Sequence, residues 1–252
     1  MLDLDRITHP LRLARGSHQP GSGKGCAMNV ISYINGDTKI TDFPECSARP
    51  LARMVQSLND HLGGADGFLS PENSVIVLDL GWLTMGTAGT PREVIWRWLS
   101  ELLVDPEWGV VKYATPKGAV VIRSVAALCV RAANGDAPTV AEWRSAHAYA
   151  DAAAAASADA YAYTGAAAAA YADAYAYTYA DAYAYTGAAA YAGAAAYAAA
   201  DAYAYAGAAA SADARVAFTR RAITRWRELA GLDTPTDIDV TAVESALDRI
   251  GA

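Results

Sequence analysis

From Ala146 to Ala214 every even-numbered residue is Ala, with Thr164, Thr178 and Thr186 as the exceptions. The odd positions draw only on Tyr, Ala, Asp, Gly, Ser and a single His, His147. A period of two held for 69 residues admits few folds. In a strand it puts Ala on one face and Tyr with Asp on the other, the arrangement of a silk-like or solenoid β structure. In a helix the same run points Tyr in every direction and leaves no apolar stripe. Ala is the best helix former, and the run is flanked on both sides by sequence that reads as capped helix. The sequence therefore favours a helical array over the β alternative. Gly165, Gly187 and Gly207 divide the run at spacings of 22 and 20. Segments of that length span about 30 Å each as helices, which suits antiparallel helices closed at the glycines. Repeated copying of a two-codon unit would generate the alternation.

The run also narrows the search for a functional site, because it contains no Lys, Arg, Cys or Glu. Its six Asp carry most of the net charge of -7, leaving -1 for the rest of the chain. Flanks so balanced offer no broad basic surface for nucleic acid. Thirteen of the 15 Tyr lie in the run, so the aliphatic core has to come from residues 1–134 and 216–250. An odd number of Cys, three, fits a reducing compartment better than a disulfide framework. The start, Met1-Leu2-Asp3-Leu4-Asp5-Arg6, lacks the basic and apolar segments of a signal peptide. No uncharged, strongly apolar run reaches the roughly 18 residues of a membrane span. The expectation is a cytoplasmic protein with no membrane partner.

Helix signals dominate the flanks. Cys26 to Ile34 reads as a short helix stopped by Asn35-Gly36. Ser47 is positioned to cap a second, with Pro50 in its first turn, Leu51, Met54, Val55, Leu58 and Leu62 at helical spacing, and Gly63-Gly64 behind. Ser74–Leu83 is a continuous apolar run that fits either a strand or a buried helix. Three Thr-x-x-Glu patterns fit capping boxes: Thr90 to Glu93, Thr139 to Glu142 and Thr241 to Glu244. They open helices over Pro91–Val104, into Trp143 and the array, and on to Ile250. Ala119–Ala133 reads as a further helix ending at Asn134-Gly135. Val216, Ile223, Trp226 and Ala230 share one face of another that stops at Gly231. The fold class expected is mainly α, as a helical module over 1–134 and an array over 135–252 closed by C-terminal helices.

Candidate chemistry is concentrated near the N-terminus. Lys24 in Gly21-Ser22-Gly23-Lys24-Gly25 lacks the Walker A spacing and the preceding strand, and reads as a turn. His18, Cys26 and Cys46, with His61 or Asp42 as a fourth, are the ligand types zinc takes. Their intervals differ from the short paired spacing of ordinary zinc motifs. Cys26 at a helix N-terminus would have its thiolate favoured by the helix dipole, with His18 as a base. No orienting third group or oxyanion hole accompanies them, so small buried thiols are the simpler reading. Cys129 sits on an apolar helix face and reads as core. Arg215, Arg220, Arg221, Arg225 and Arg227 read as a solvated helix face in preference to a phosphate site. The six Trp read as core or interface anchors.

The N-terminal block Gly16-Ser17-His18, Cys26-Ala27-Met28, Gly36, Asp42-Phe43-Pro44-Glu45-Cys46 and Asn59-Asp60 resembles one found in hypothetical proteins of actinobacteria and their phages. The resemblance covers residues 12–62. It implies a mostly helical fold and a phage origin, and it implies nothing about mechanism. Binding is thus the favoured expectation, by an accessory or interaction protein with a protein partner or a second copy of itself. A zinc- or thiol-dependent enzyme centred on His18, Cys26 and Cys46 is the alternative.

Overall fold

The computed structural model describes residues 12–16, 18, 22–114, 116–146, 212–235 and 238–251. The protein is mainly helical in these segments. No strand occurs among the described residues, only isolated antiparallel bridges from Ala14 to Phe68 and from Ser47 to Met85. The Ala/Tyr run, apart from Ala146 and residues 212–214, lies outside the described residues, and so does the choice between helix and β there.

Contacts group the chain into two compact units, Met1–Thr90 with Arg215–Ala252, and Pro91–Ala214. The division differs from the one expected at Asn134. Composition marks where the array begins, whereas packing joins segments far apart in sequence.

The first unit contains α1 (Ala27–Asn35), α2 (Arg49–Leu62) and α3 (Pro71–Leu83), then α6 (Ala212–Ala230) from Arg215 onward and α7 (Val240–Gly251). Helix α1 ends as the Asn35-Gly36 signal predicts. Gly36 takes φ 76°, a left-handed conformation that costs a glycine little. Its N–H and that of Asp37 turn back to the carbonyls of Tyr33 and Ser32, satisfying helix-end acceptors. The ambiguous run is helical, as α3. Ser70 accepts a hydrogen bond from the Asn73 N–H, and Pro71 occupies the first turn. Gly81 lets α1 approach α3 closely, since a Cβ there would lie 3.1 Å from Ile31 Cγ1. Leu51, Val55, Val77, Leu78, Leu80, Ile223, Trp226 and Val243 fill the core of this unit.

The second unit contains α4 (Arg92–Val104), a 3-10 turn (Val110–Tyr113) and α5 (Pro116–Ala133). Helices α4 and α5 pack Trp98, Leu99, Leu102 and Leu103 with Ile122, Val125, Ala126 and Cys129 in the unit's interior. A further helical segment begins at residue 140, and its Trp143 stacks on Trp96 with ring centroids 5.6 Å apart.

Only one of the three expected capping boxes forms. Thr139 Oγ1 accepts from the Glu142 N–H at 3.2 Å, while the Glu142 carboxylate accepts from the Thr139 N–H at 2.7 Å and its hydroxyl at 2.9 Å. Arg131 donates to the same carboxylate. These bonds, the Arg131 contact first, hold the Glu142 carboxyl down to about 2. Thr90 does not cap α4. Pro91 takes the cap position without a side-chain bond, and the Thr90 hydroxyl donates instead to the Thr87 carbonyl at 2.7 Å. Helix α7 starts before Thr241, with Asp239 Oδ1 accepting from the Thr241 N–H at 2.9 Å. Likewise Ala48, not Ser47, is the cap residue of α2.

Candidate functional site

The N-terminal block folds into a network of buried polar side chains between α1, α2 and the loop that joins them. Its centre is the Asp42 carboxylate, 8% exposed. Oδ1 accepts from the Asn29 amide at 3.0 Å and faces the Cys26 thiol at 3.4 Å, while Oδ2 accepts from the Gln56 amide at 2.8 Å. Three donors on one carboxylate fit the rule that a buried acceptor of this kind must be satisfied. Cys26 is the cap residue of α1, and its N–H donates to Asn29 Oδ1 at 3.0 Å.

Asn59 makes the next connection. Its Oδ1 accepts from the Ala27 N–H at 3.2 Å, and its Nδ2 donates to the Ala14 carbonyl at 2.9 Å. Asp60 accepts from the Gly16 N–H at 2.6 Å. The segment before α1 is thereby tied to the end of α2. Asp37, just after α1, accepts from the Ser32 hydroxyl at 2.6 Å and the Glu45 N–H at 3.2 Å, fixing the return of the loop. The conspicuous polar residues of this block are engaged in holding backbone and helices together.

Of the candidate ligands, the structure brings Cys26 and Asp42 into contact and leaves the others apart from them. Cys46 is half-buried, with Sγ 3.7 Å from Ser47 Oγ. His18 is half-buried, and its Nε2 is enclosed without a hydrogen-bond partner. His61 lies exposed in the last turn of α2. Among the described residues, no three His, Cys, Asp or Glu side chains form a group that could hold a metal ion. The helix-dipole argument for a Cys26 thiolate also meets a stronger opposing effect. Full burial, and then the charge of Asp42, push the thiol pKa well above its ordinary value.

Sequence reading passed over Asn29 and Gln56 and gave Asn59 a place in the block but no bonding role; these three complete the network. Their signal was an amide on a helix face otherwise rich in apolar residues. It also placed Arg227 on a solvated face, where the structure buries it. Its guanidinium donates to the carbonyls of Leu83 at 3.2 Å and Met85 at 2.8 Å, and to that of Asp233.

The three thiols make this arrangement testable. Cys26 and Cys129 are fully buried, with Cys129 pushed up to about 12 by desolvation, whereas Cys46 is part-exposed. Iodoacetamide added to the native protein is expected to label Cys46 first and to reach Cys26 and Cys129 only on unfolding. Peptide mass spectrometry over a labelling time course reads this directly. Fast modification of Cys26 would contradict the arrangement. Among the described residues no helix is long and apolar enough to cross a membrane. Compared with known proteins, the chain matches no family model, no curated protein and no solved structure.

Proposed function

We propose that this protein works by binding, as an accessory or interaction protein whose Tyr-rich run is the contact surface. One observation supports this reading above the others. The polar side chains at the centre of the N-terminal block, Cys26, Asn29, Asp42, Gln56 and Asn59, are buried and bonded to one another or to backbone. Residues committed in this way organise a fold. They present no aligned nucleophile and base to a substrate.

The run supplies what the block lacks. Tyr gives large amphipathic contact area at a small entropy cost, and 13 of them alternate with small residues. Six Asp add negative charge, which favours a partner with basic groups or a second copy engaged through its Arg-bearing helix. A phage-encoded origin belongs to the same reading and rests on the resemblance of residues 12–62.

Deletion of residues 166–187 is expected to alter oligomeric state or partner affinity while the far-ultraviolet circular dichroism of the helical units persists. Light scattering detects the first change and titration with a purified partner the second. Should removal of residues 147–211 leave both mass and biological activity unaltered, the run has no binding role.

A further inference from the structure

We infer that α6 and α7 act as a clasp closing the helical module of α1–α3, so that the two ends of the chain open and close as one cooperative body bracketing residues 91–214. Three sets of contacts, each with a link across more than half of the sequence, carry this inference.

The first is a ladder of hydroxyls in the segment leaving α3. Thr84, Thr87 and Thr90 recur every third residue, and each donates to a carbonyl three residues earlier. The distances are 2.7 Å to Gly81, 2.5 Å to Thr84 and 2.7 Å to Thr87. With the single proton of each hydroxyl so used, each oxygen is left to accept. Thr84 Oγ1 takes the Ser47 hydroxyl at 2.7 Å, and Thr87 Oγ1 takes the Ala48 N–H at 2.8 Å. Thr90 Oγ1 takes the indole N–H of Trp226 at 3.0 Å, across 136 residues of sequence. The start of α2 and the C-terminal part of α6 are thus fixed to successive rungs of one ladder.

The second is Arg227. The last carbonyls of a helix have no partner within it and need an external donor. At the end of α3 that donor is a guanidinium from 142 to 144 residues further along the chain, on Leu83 and Met85. The third is α7 against α1. A Cβ on Gly25 would lie 2.8 Å from Ile250 Cδ1, so the segment entering α1 and the end of α7 meet in a close contact that a larger residue would crowd. Ala222, Ile223 and Trp226 have no exposed surface.

The test uses the full chain carrying Trp226→Ala, with amide hydrogen exchange followed by mass spectrometry. A fully buried Trp lost from a core is expected to raise the opening equilibrium about a hundredfold or more. If the clasp operates, the slowest-exchanging amides of α1, α2 and α3 accelerate together with those of α6 and α7, by a similar factor. Acceleration confined to α6 and α7, with α1–α3 exchanging as in the parent protein, would overturn the inference. If Trp226→Ala does not accumulate folded, Trp226→Phe and Ile250→Ala provide milder perturbations. The same shared acceleration, smaller in size, is then expected from each, and acceleration confined to the perturbed helix again overturns it.

Discussion

Asp42→Ala is expected to lower the free energy of unfolding by about 3–5 kcal/mol, because it strands several buried donors at once. The Asn29 and Gln56 amides and the Cys26 thiol all point at this carboxylate. None of them can turn to water without opening the interface between α1 and α2. A buried donor left unpaired costs about 1–3 kcal/mol, and partial repacking around the shorter side chain keeps the total below the simple sum. Asp42→Asn separates charge and hydrogen bonding from shape. It fills the same volume but directs an NH2 group at one of the donors, so about half the effect of the Ala variant is expected. Urea denaturation monitored by circular dichroism measures both. A loss under about 1 kcal/mol in the Ala variant would mean that the network is not a stabilising element of the native state.

Gly109→Ala is expected to be comparably damaging, for a purely steric reason. Gly109 has φ -61°, which any residue adopts, so backbone preference is not at issue. The obstacle is space. A Cβ at this position would lie 2.4 Å from the backbone nitrogen of Asp105 and 2.5 Å from its carbonyl oxygen. That carbonyl also receives the Gly109 N–H at 2.9 Å, so the turn closes on itself with no room for a side chain. Both colliding atoms belong to backbone at the end of α4, and neither can rotate away. Relief requires unwinding the last turn of α4 or displacing the 3-10 turn after it, at a cost of about 3 kcal/mol or more. Gly135→Ala is the informative control. Its φ of 82° is unfavourable for Ala, but open space surrounds it, so about 1 kcal/mol is expected. Equal melting temperatures for the two variants would contradict this account.

Local signals in the sequence carried most of the helices. The stripe from Leu51 to Leu62, the Asn35-Gly36 stop and the Thr139 capping box are each read within one or two turns, and the structure has them all. Helix α3 was ambiguous because its apolar residues are too continuous to show a period. Its local marker was Ser70-Pro71, just upstream of the run considered. The two other Thr-x-x-Glu patterns misled because a hydroxyl is equally able to bond a distant group. Thr90 is held by Thr87 and Trp226, and Asp239 lies earlier than Thr241 for α7. The candidate site was legible as a list of residues but not as a set of bonds. Whether Asp42 meets Cys26 or Cys46 depends on how the loop folds back, which spacing does not encode. Arg227 was within reach, however. It stands four residues after Ile223 and beside Trp226, so the stripe itself places it on the inward face.

The bond between Thr90 and Trp226 also bears on how the protein is made. Ribosomes extend a chain at about 5–20 residues per second, and domains generally fold as they emerge. Here α1, α2 and α3 are complete when Thr90 is added, but Trp226 and Arg227 follow only after residues 91–214 have been translated. At those rates the interval is about 7–27 s, far longer than a helix takes to form. For that time the Thr90 hydroxyl lacks its indole donor, and the Leu83 and Met85 carbonyls at the end of α3 lack the Arg227 guanidinium. The need for holding chaperones should therefore rise with the length of the segment between Thr90 and Arg215, since every added repeat postpones closure.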